Sequence, residues 1–342
     1  MSTIVVFSDL QAHPWQEGEV TAQYGRFNDC LRAIDAVTQV AIQEKADCVV
    51  FNGDLFESKR LLRSGIAAQV YAALLRMRSH AALKRATFVY NAGNHDYADN
   101  DHSLHALLPT AKRDALRVHV CTKFDDAPTR VVLPDGVELL FVPNGMSVAG
   151  NTPYTIAFIH GNVTGAAMHH GVACTTQDYP AKFFRRMGTR ERVINGHFHS
   201  PQTLHATQDR VPIHIVGAPL QHSWSDADDE SSRGCMVIRT QPHTQVVRHS
   251  FDHLFPKFWT TAQNARASDF VRAKKAEHVT VEHRTHKDAA QFATLTTAEA
   301  VRTYTYKAAR AAGYTKKDAR MLARQALQFL GGAQGGSDVA AT

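Results

Sequence analysis

Short apolar runs, each closed by a polar or charged residue, punctuate the first 250 positions of this chain. Ile4–Phe7 ends at Ser8-Asp9, and Cys48–Phe51 ends at Asn52-Gly53-Asp54. Thr87–Tyr90 leads into the glycine turn Gly93-Asn94-His95-Asp96. Apolar runs this short, bounded by turn formers, predict strands buried on both faces. Between them the spacing is helical. Phe27, Leu31, Ile34, Thr38 and Ala41 predict an amphipathic helix over about 25–45, and Ile66, Val70, Ala73, Leu74 and Met77 predict a second. Strand–helix–strand–helix–strand with crossovers of this length predicts a parallel sheet. Ligands of such sheets collect outside the carboxyl ends of the strands.

From about 115 to 260 the pattern changes. Val118–Cys121, Arg130–Leu133, Glu138–Val142, Tyr154–Ile159, Arg192–Asn195, Ile213–Val216 and Gly234–Arg239 are strand-like, and Pro134-Asp135-Gly136 marks a hairpin. A second sheet packed on the first is expected, giving an α/β two-sheet sandwich flanked by helices. Beyond Phe255-Pro256, one or two strands are expected within Phe270–Val281. Thr296 and Glu299 form a capping box for a helix to about Ala312. A last helix runs from Thr315 to about Leu330, with Leu322, Ala326, Leu327 and Leu330 along one face and Lys316, Arg320 and Arg324 as a basic stripe. The chain therefore divides into 1–255, an accessory α/β or helical module at 256–330, and a glycine-rich tail at 331–342.

Composition changes the picture in two places. Hydrophobic residues make up 44% of the 342 and charged residues 20%, an ordinary globular balance. No apolar run approaches the length that crosses a bilayer. Cys30, Cys48, Cys121, Cys174 and Cys235 are scattered without C-x-x-C pairing, which points to reduced thiols and a cytoplasm-like compartment. The formal charge of +6 is unevenly placed: residues 1–255 carry 24 Lys and Arg against 25 Asp and Glu, whereas 256–342 carry 14 against 7. That asymmetry suggests a polyanion or an acidic partner for the last quarter.

The candidate chemistry sits at the strand ends. Asp9, Asp54, Asn94, His160 (in F-I-H-G-N), and His197 and His199 (in N-G-H-F-H) are oxygen and imidazole donors, each placed where an apolar run stops. A Gly-Asp pair alone is ordinary turn chemistry. Five such endings in order are not, and the donor set suits manganese, iron or zinc better than calcium. Two ions about 4 Å apart can activate water and clamp a phosphoryl group, and Asp54 is suited to bridge them. His95 adjoins a candidate ligand and could give a proton to a leaving alkoxide. His102, His105, His169, His170, His222 and His253 lack such a context and read as structural or surface residues.

The whole set resembles the calcineurin-like metallophosphoesterase superfamily, with its D-x-H, G-D, G-N-H-[DE], H and G-H-x-H elements. Within it, G-D-L-F-E-S-K-R at 53–60 and V-G-A-P-L-Q-H-S-W-S-D at 216–226 resemble the SbcD-type DNA repair and recombination nucleases, bacterial and phage. The resemblance implies a four-layer αββα sandwich and two divalent ions, Mn2+ first, with Fe2+ or Zn2+ as alternatives. It implies one ion on Asp9, Asp54 and His199 and the other on Asp54, Asn94, His160 and His197. His95 is then the catalytic histidine, with the Glu57 carboxylate orienting it. It further implies 3′–5′ exonuclease action with some endonuclease action, DNA as substrate, an SbcC-type coiled-coil ATPase or a second copy as partner, and the cytoplasm of a bacterium or phage-infected host. One position departs from the pattern: Gln11 stands where the family has histidine, and His13 follows two residues later. Gln11 ligating by its amide oxygen, His13 folding back, or a weak first site filled only with substrate all remain open. A nucleotide or small-molecule phosphodiesterase with the same site and a metal-poor scaffold are the alternative functions.

Overall fold

Two six-stranded mixed sheets face each other in the computed structural model, which describes residues 1–13, 26–57, 63–108, 117–168, 173–185, 191–204, 210–222, 232–255, 315–317 and 320–322. In the first sheet β1 (Thr3–Phe7), β2 (Cys48–Asn52), β3 (Thr87–Asn91) and β6 (Val118–Cys121) run parallel. β13 (Gly234–Arg239) and β14 (Gln245–Ser250) extend it antiparallel beside β1. In the second sheet β8 (Glu138–Val142), β9 (Ile156–Ile159), β10 (Arg192–Asn195) and β12 (Ile213–Ile215) are parallel. Antiparallel β7 (Thr129–Val132) and β11 (Gln202–Leu204) close its two edges.

Period-two side-chain alternation explains why the central strands are apolar without interruption. On β1, Ile4 and Val6 enter the layer between the sheets, while Val5 and Phe7 face the helices. On β8 and β9, Leu139, Phe141, Ile156 and Phe158 meet them from the second sheet, with Phe141 and Phe158 stacked at 4.8 Å. Helices α1 (Arg26–Gln43) and α2 (Ser64–Ser79) cover the outer face of the first sheet. The apolar stripe of α1, Phe27, Cys30, Ile34, Val37 and Ala41, is buried there. The outer face of the second sheet is covered by Tyr154, Tyr179, Phe183 and Phe184, from loops and the 3-10 turn Ala181–Phe184. Among the described residues both α-helices of this core lie on the first-sheet side.

Within the described residues the expected strands are present to within two residues at each end. β11, β14 and the two-residue strands β4 (Tyr97–Ala98) and β5 (Asp101–His102) were not foreseen. Three of these are too short to show a period. β14 is an edge strand whose residues are exposed or half-buried, so burial leaves little hydrophobic signature on it.

All five cysteines are buried free thiols. Among the described residues no helix is long and apolar enough to cross a membrane. In the last quarter, Lys316 and Arg320 are exposed and Leu322 is buried, in the helical pieces at 316–317 and 320–322. Arg324, the strands expected at 270–281 and the helix expected at 296–312 lie outside the described residues.

Candidate metal centre

Parallel strands of both sheets deliver their carboxyl ends to one place. β1 leads to Asp9, β2 to Asp54, β3 to Asn94, β9 to His160 and β10 to His197. Asparagine side chains fasten the two sheets here. Asn52 Nδ2 donates to Ile159 O at 2.9 Å; Asn144 donates its backbone N–H to Ala92 O and its amide to His160 O, both at 2.9 Å.

The turns are tight. Asp9, Gln11, Asp54 and His197 have φ of +52°, +43°, +61° and +75°. Non-glycine residues rarely adopt this region, and such strain gathers at functional sites. Gly53, at φ +99°, and Gly93 supply clearance: a Cβ on the first would overlap His160 Nδ1, and on the second Asp54 Oδ1.

Asp54 is at the middle. One carboxylate oxygen accepts the His95 N–H at 2.7 Å, and the other lies 3.2 Å from His160 Nε2. Burial opposes its charge, but the charge of His160 at 3.2 Å, with His95 beyond, holds its carboxyl well below the usual range. Asp9 is buried too. Burial, with Asp54 as a like-charged neighbour, pushes it up to about 6 against the pull of His160. Its two oxygens accept the backbone N–H of His197 at 3.1 Å.

The histidine tautomers follow from what faces each ring. His160 Nδ1 lies 2.7 Å from Asn52 O, which can only accept, so Nδ1 carries the hydrogen. Nε2 is then aimed at Asp54 and, at 4.0 Å, Asp9, fully buried and without a well-aligned hydrogen bond. Burial disfavours a proton there, but the two carboxylates outweigh it and push His160 up to about 10. His197 is the opposite case. Asn162 donates its Nδ2 to Asp178 Oδ1 at 3.3 Å and its backbone N–H to Oδ2 at 2.8 Å. That fixes Asn162 Oδ1 toward His197 Nε2 at 3.1 Å, so Nε2 is the N–H. Burial, and then the charge of His160, hold His197 down at about 4, leaving a neutral ring. Its Nδ1 lone pair faces Asn94 Oδ1 at 2.9 Å.

These observations test whether a divalent cation fits. Asp54, His160 and His197 can each offer one ligand atom, all within 4.8 Å of one another. Two lone-pair atoms face each other at His197–Asn94, and an orphaned buried nitrogen faces two buried carboxylates. Facing lone pairs are costly to bury, and a cation bound among Asp54, His160 and His197 would take the place of the proton that His160 otherwise needs between itself and the carboxylates. The donor set therefore fits a metal.

The remaining sequence candidates divide. Gln11 lies in the Asp9 turn, buried, its N–H bonded to Asp54 O at 3.0 Å. His13 is half-buried, with Nδ1 2.8 Å from Gln11 O. His199 packs its ring against His222 at 4.7 Å, close enough for its charge to act on Asp9. His95 Nδ1 does meet Glu57, but at the backbone carbonyl oxygen, 2.6 Å away. The expected carboxylate contact is thus replaced by a main-chain one, because the strand-end turn brings backbone rather than side chain to the ring. His222 is a structural residue of this centre: buried, it donates from Nε2 to Asp9 O at 2.9 Å. Asn162, Asp178 and Asp96 carried no role in the sequence reading. Asp96 takes four hydrogen bonds, from the N–H groups of Asp54, Leu55 and Gly93 and from Ser103 Oγ, and so clamps the Asp54 turn to the His95 turn. Asn162 and Asp96 adjoin His160 and Asn94-His95 in sequence, whereas Asp178 is far from any candidate ligand and carries no such signal.

Residues 2–201 match the family model described as calcineurin-like phosphoesterase. Among solved structures the chain is similar to a dimetal phosphatase from Danio rerio, at 8% identity over 73% of this chain and 99% of that one, TM-score 0.39. It is also similar to Yfce, a phosphoesterase from E. coli, at 15% identity over 70% and 88%, TM-score 0.33. Both are distant likenesses. A comparison with curated proteins gives no match.

Proposed function

The chain belongs to the calcineurin-like phosphoesterase family, metal-dependent hydrolases of phosphoesters, and from that premise we propose that it is a DNA nuclease of the SbcD type. The observation that carries a hydrolytic role is the pairing of a buried cluster of metal-ligand type with His95 at its edge. The finer reading is supported by the G-D-L-F-E-S-K-R and A-P-L-Q-H-S-W-S-D segments and by the basic final quarter, where Lys316 and Arg320 are exposed.

Asp9, Asp54, Asn94, His160, His197 and His199, with Gln11 or His13, would hold two divalent ions, Mn2+ being the favoured identity. Bound there, the ions would supply an activated water and neutralise the phosphoryl oxygens. The chain's own groups do the rest. The Glu57 carbonyl keeps His95 Nδ1 protonated, so the ring gains or loses its working proton at Nε2, where it can serve a leaving alkoxide. Asp96 holds the Asp54 and His95 turns in register. Asn162 and Asp178 keep His197 in one tautomer. Residues 256–330 would bind DNA or dock an SbcC-type coiled-coil ATPase, with Lys316, Arg320 and Arg324 against phosphate, and a homodimer is compatible with this use.

The test is Mn2+-dependent turnover of single- and double-stranded DNA beside bis(p-nitrophenyl) phosphate. Hydrolysis of all three supports the reading. Hydrolysis of the small diester alone makes the chain a small-molecule phosphodiesterase. Purified protein that takes up no metal makes it a scaffold.

A further inference from the structure

We propose that Phe124, His102 and His105, with Lys123 at their edge, form a stacking platform for an unpaired nucleobase of the strand being cut. This rests on the nucleic-acid reading above. The platform is mounted on the catalytic turn. Ser103, next to β5, gives its N–H to Asp96 O at 2.8 Å and its hydroxyl to Asp96 Oδ1 at 3.0 Å. Tyr97 follows Asp96 directly, and its hydroxyl accepts the Lys123 N–H at 2.7 Å. That bond ties the β4–β5 hairpin, which follows the His95 turn directly, to the turn after β6, the parallel neighbour of β3.

The rings form a continuous series. His102 and His105 stack at 3.9 Å and 23°; Phe124 is 6.3 Å from His102 at 31°. Tyr97 supports Phe124 edge-on at 5.6 Å, and Lys123 Nζ lies 4.5 Å from the Tyr97 ring centre and 5.3 Å from that of Phe124. Phe124 is 46% exposed, whereas every other phenylalanine among the described residues is buried. Burial, with His105 alongside, holds His102 down at about 4, so its face is neutral and flat at working pH.

Charge sets how a strand can lie. Asp99, Asp101, Asp125 and Asp126 on the same two loops repel phosphate, so the base rather than the backbone meets the rings, with the backbone on the Lys123 side. Asp101 is engaged with His105 Nε2 and the His102 N–H, and Asp125 with the Thr122 N–H. The rings then offer flat π-faces to the base, and aromatic stacking accepts any base.

The test compares a labelled oligo(dT) with an abasic oligomer of equal length, in the presence of Mn2+, using the full chain. Wild type should show a lower KM for oligo(dT). Phe124→Ala should raise that KM on the order of tenfold while leaving cleavage of the abasic strand unchanged, and Phe124→Trp should restore it. Equal KM for the two strands in wild type overturns the platform and leaves the nuclease reading standing. Equal losses on both strands in Phe124→Ala overturn it too. Wild type that hydrolyses bis(p-nitrophenyl) phosphate but neither strand overturns the nucleic-acid reading and the platform with it.

Discussion

In the half of the centre formed by Asp54, His160 and His197, the ligand-type atoms already lie within 4.8 Å of one another. Each imidazole there has its far nitrogen committed to an oxygen acceptor, Asn52 O for His160 and Asn162 Oδ1 for His197. The other half, around Asp9, Gln11 and His199, is organised differently. The Asp9 oxygens are engaged by a backbone N–H, a neutral amide stands where the family has imidazole, and His199 packs against the ring of His222. The difference shows where the fold commits itself. Tautomers are locked where the two sheets meet, and the weaker donors fall on the loop that leaves β1.

The largest expected effect joins the halves. Asp54→Asn should abolish turnover and empty both positions, read by metal content and by hydrolysis of a phosphodiester. Retention of two ions would remove Asp54 as the bridge. His95→Asn should lower kcat about 10²- to 10⁴-fold with metal content unchanged; loss of metal would make His95 a ligand instead.

Asn162→Ala should sharpen the comparison by loosening only the ordered half. Freed from its acceptor, His197 can change tautomer, and metal affinity should fall roughly 10- to 100-fold in calorimetric titration. The same half predicts a pH effect on the metal-free chain. His160 is raised from 6.5 to about 10, so its stabilising contribution is complete below pH 6.5 and is lost as pH rises through about 10. Metal-free protein should therefore melt at lower temperature on going from pH 7 to 10. At pH 7 metal uptake should release a proton, measured as a dependence of binding heat on buffer ionisation enthalpy.

The smallest effect belongs to the other half. Gln11→His should tighten metal binding there, since imidazole outranks an amide oxygen for manganese or zinc. Emptying of that position by His13→Ala but not by Gln11→Ala would assign it to His13.

By itself, the sequence determined the sandwich and the strand ends at which the candidate donors stand. Fully buried strands must be apolar on both faces, and the residue at which such a run stops is visible, so Asp9, Asp54, Asn94, His160 and His197 could be read in order. The two helices were legible for the same reason, their stripes repeating at the helical period. Tertiary structure decided what each donor's neighbours are. Glu57 meets His95 through its carbonyl, and a main-chain contact leaves no mark on residue type. His222, 213 positions from Asp9, follows β12 of the second sheet and reaches Asp9 of the first only when the two sheets pack together. Asn162 and Asp178 matter because a hydrogen bond fixes which way an amide points, and local spacing does not encode that. The short strands β4, β5 and β11 owe their existence to partners across a turn or sheet edge rather than to any period of their own.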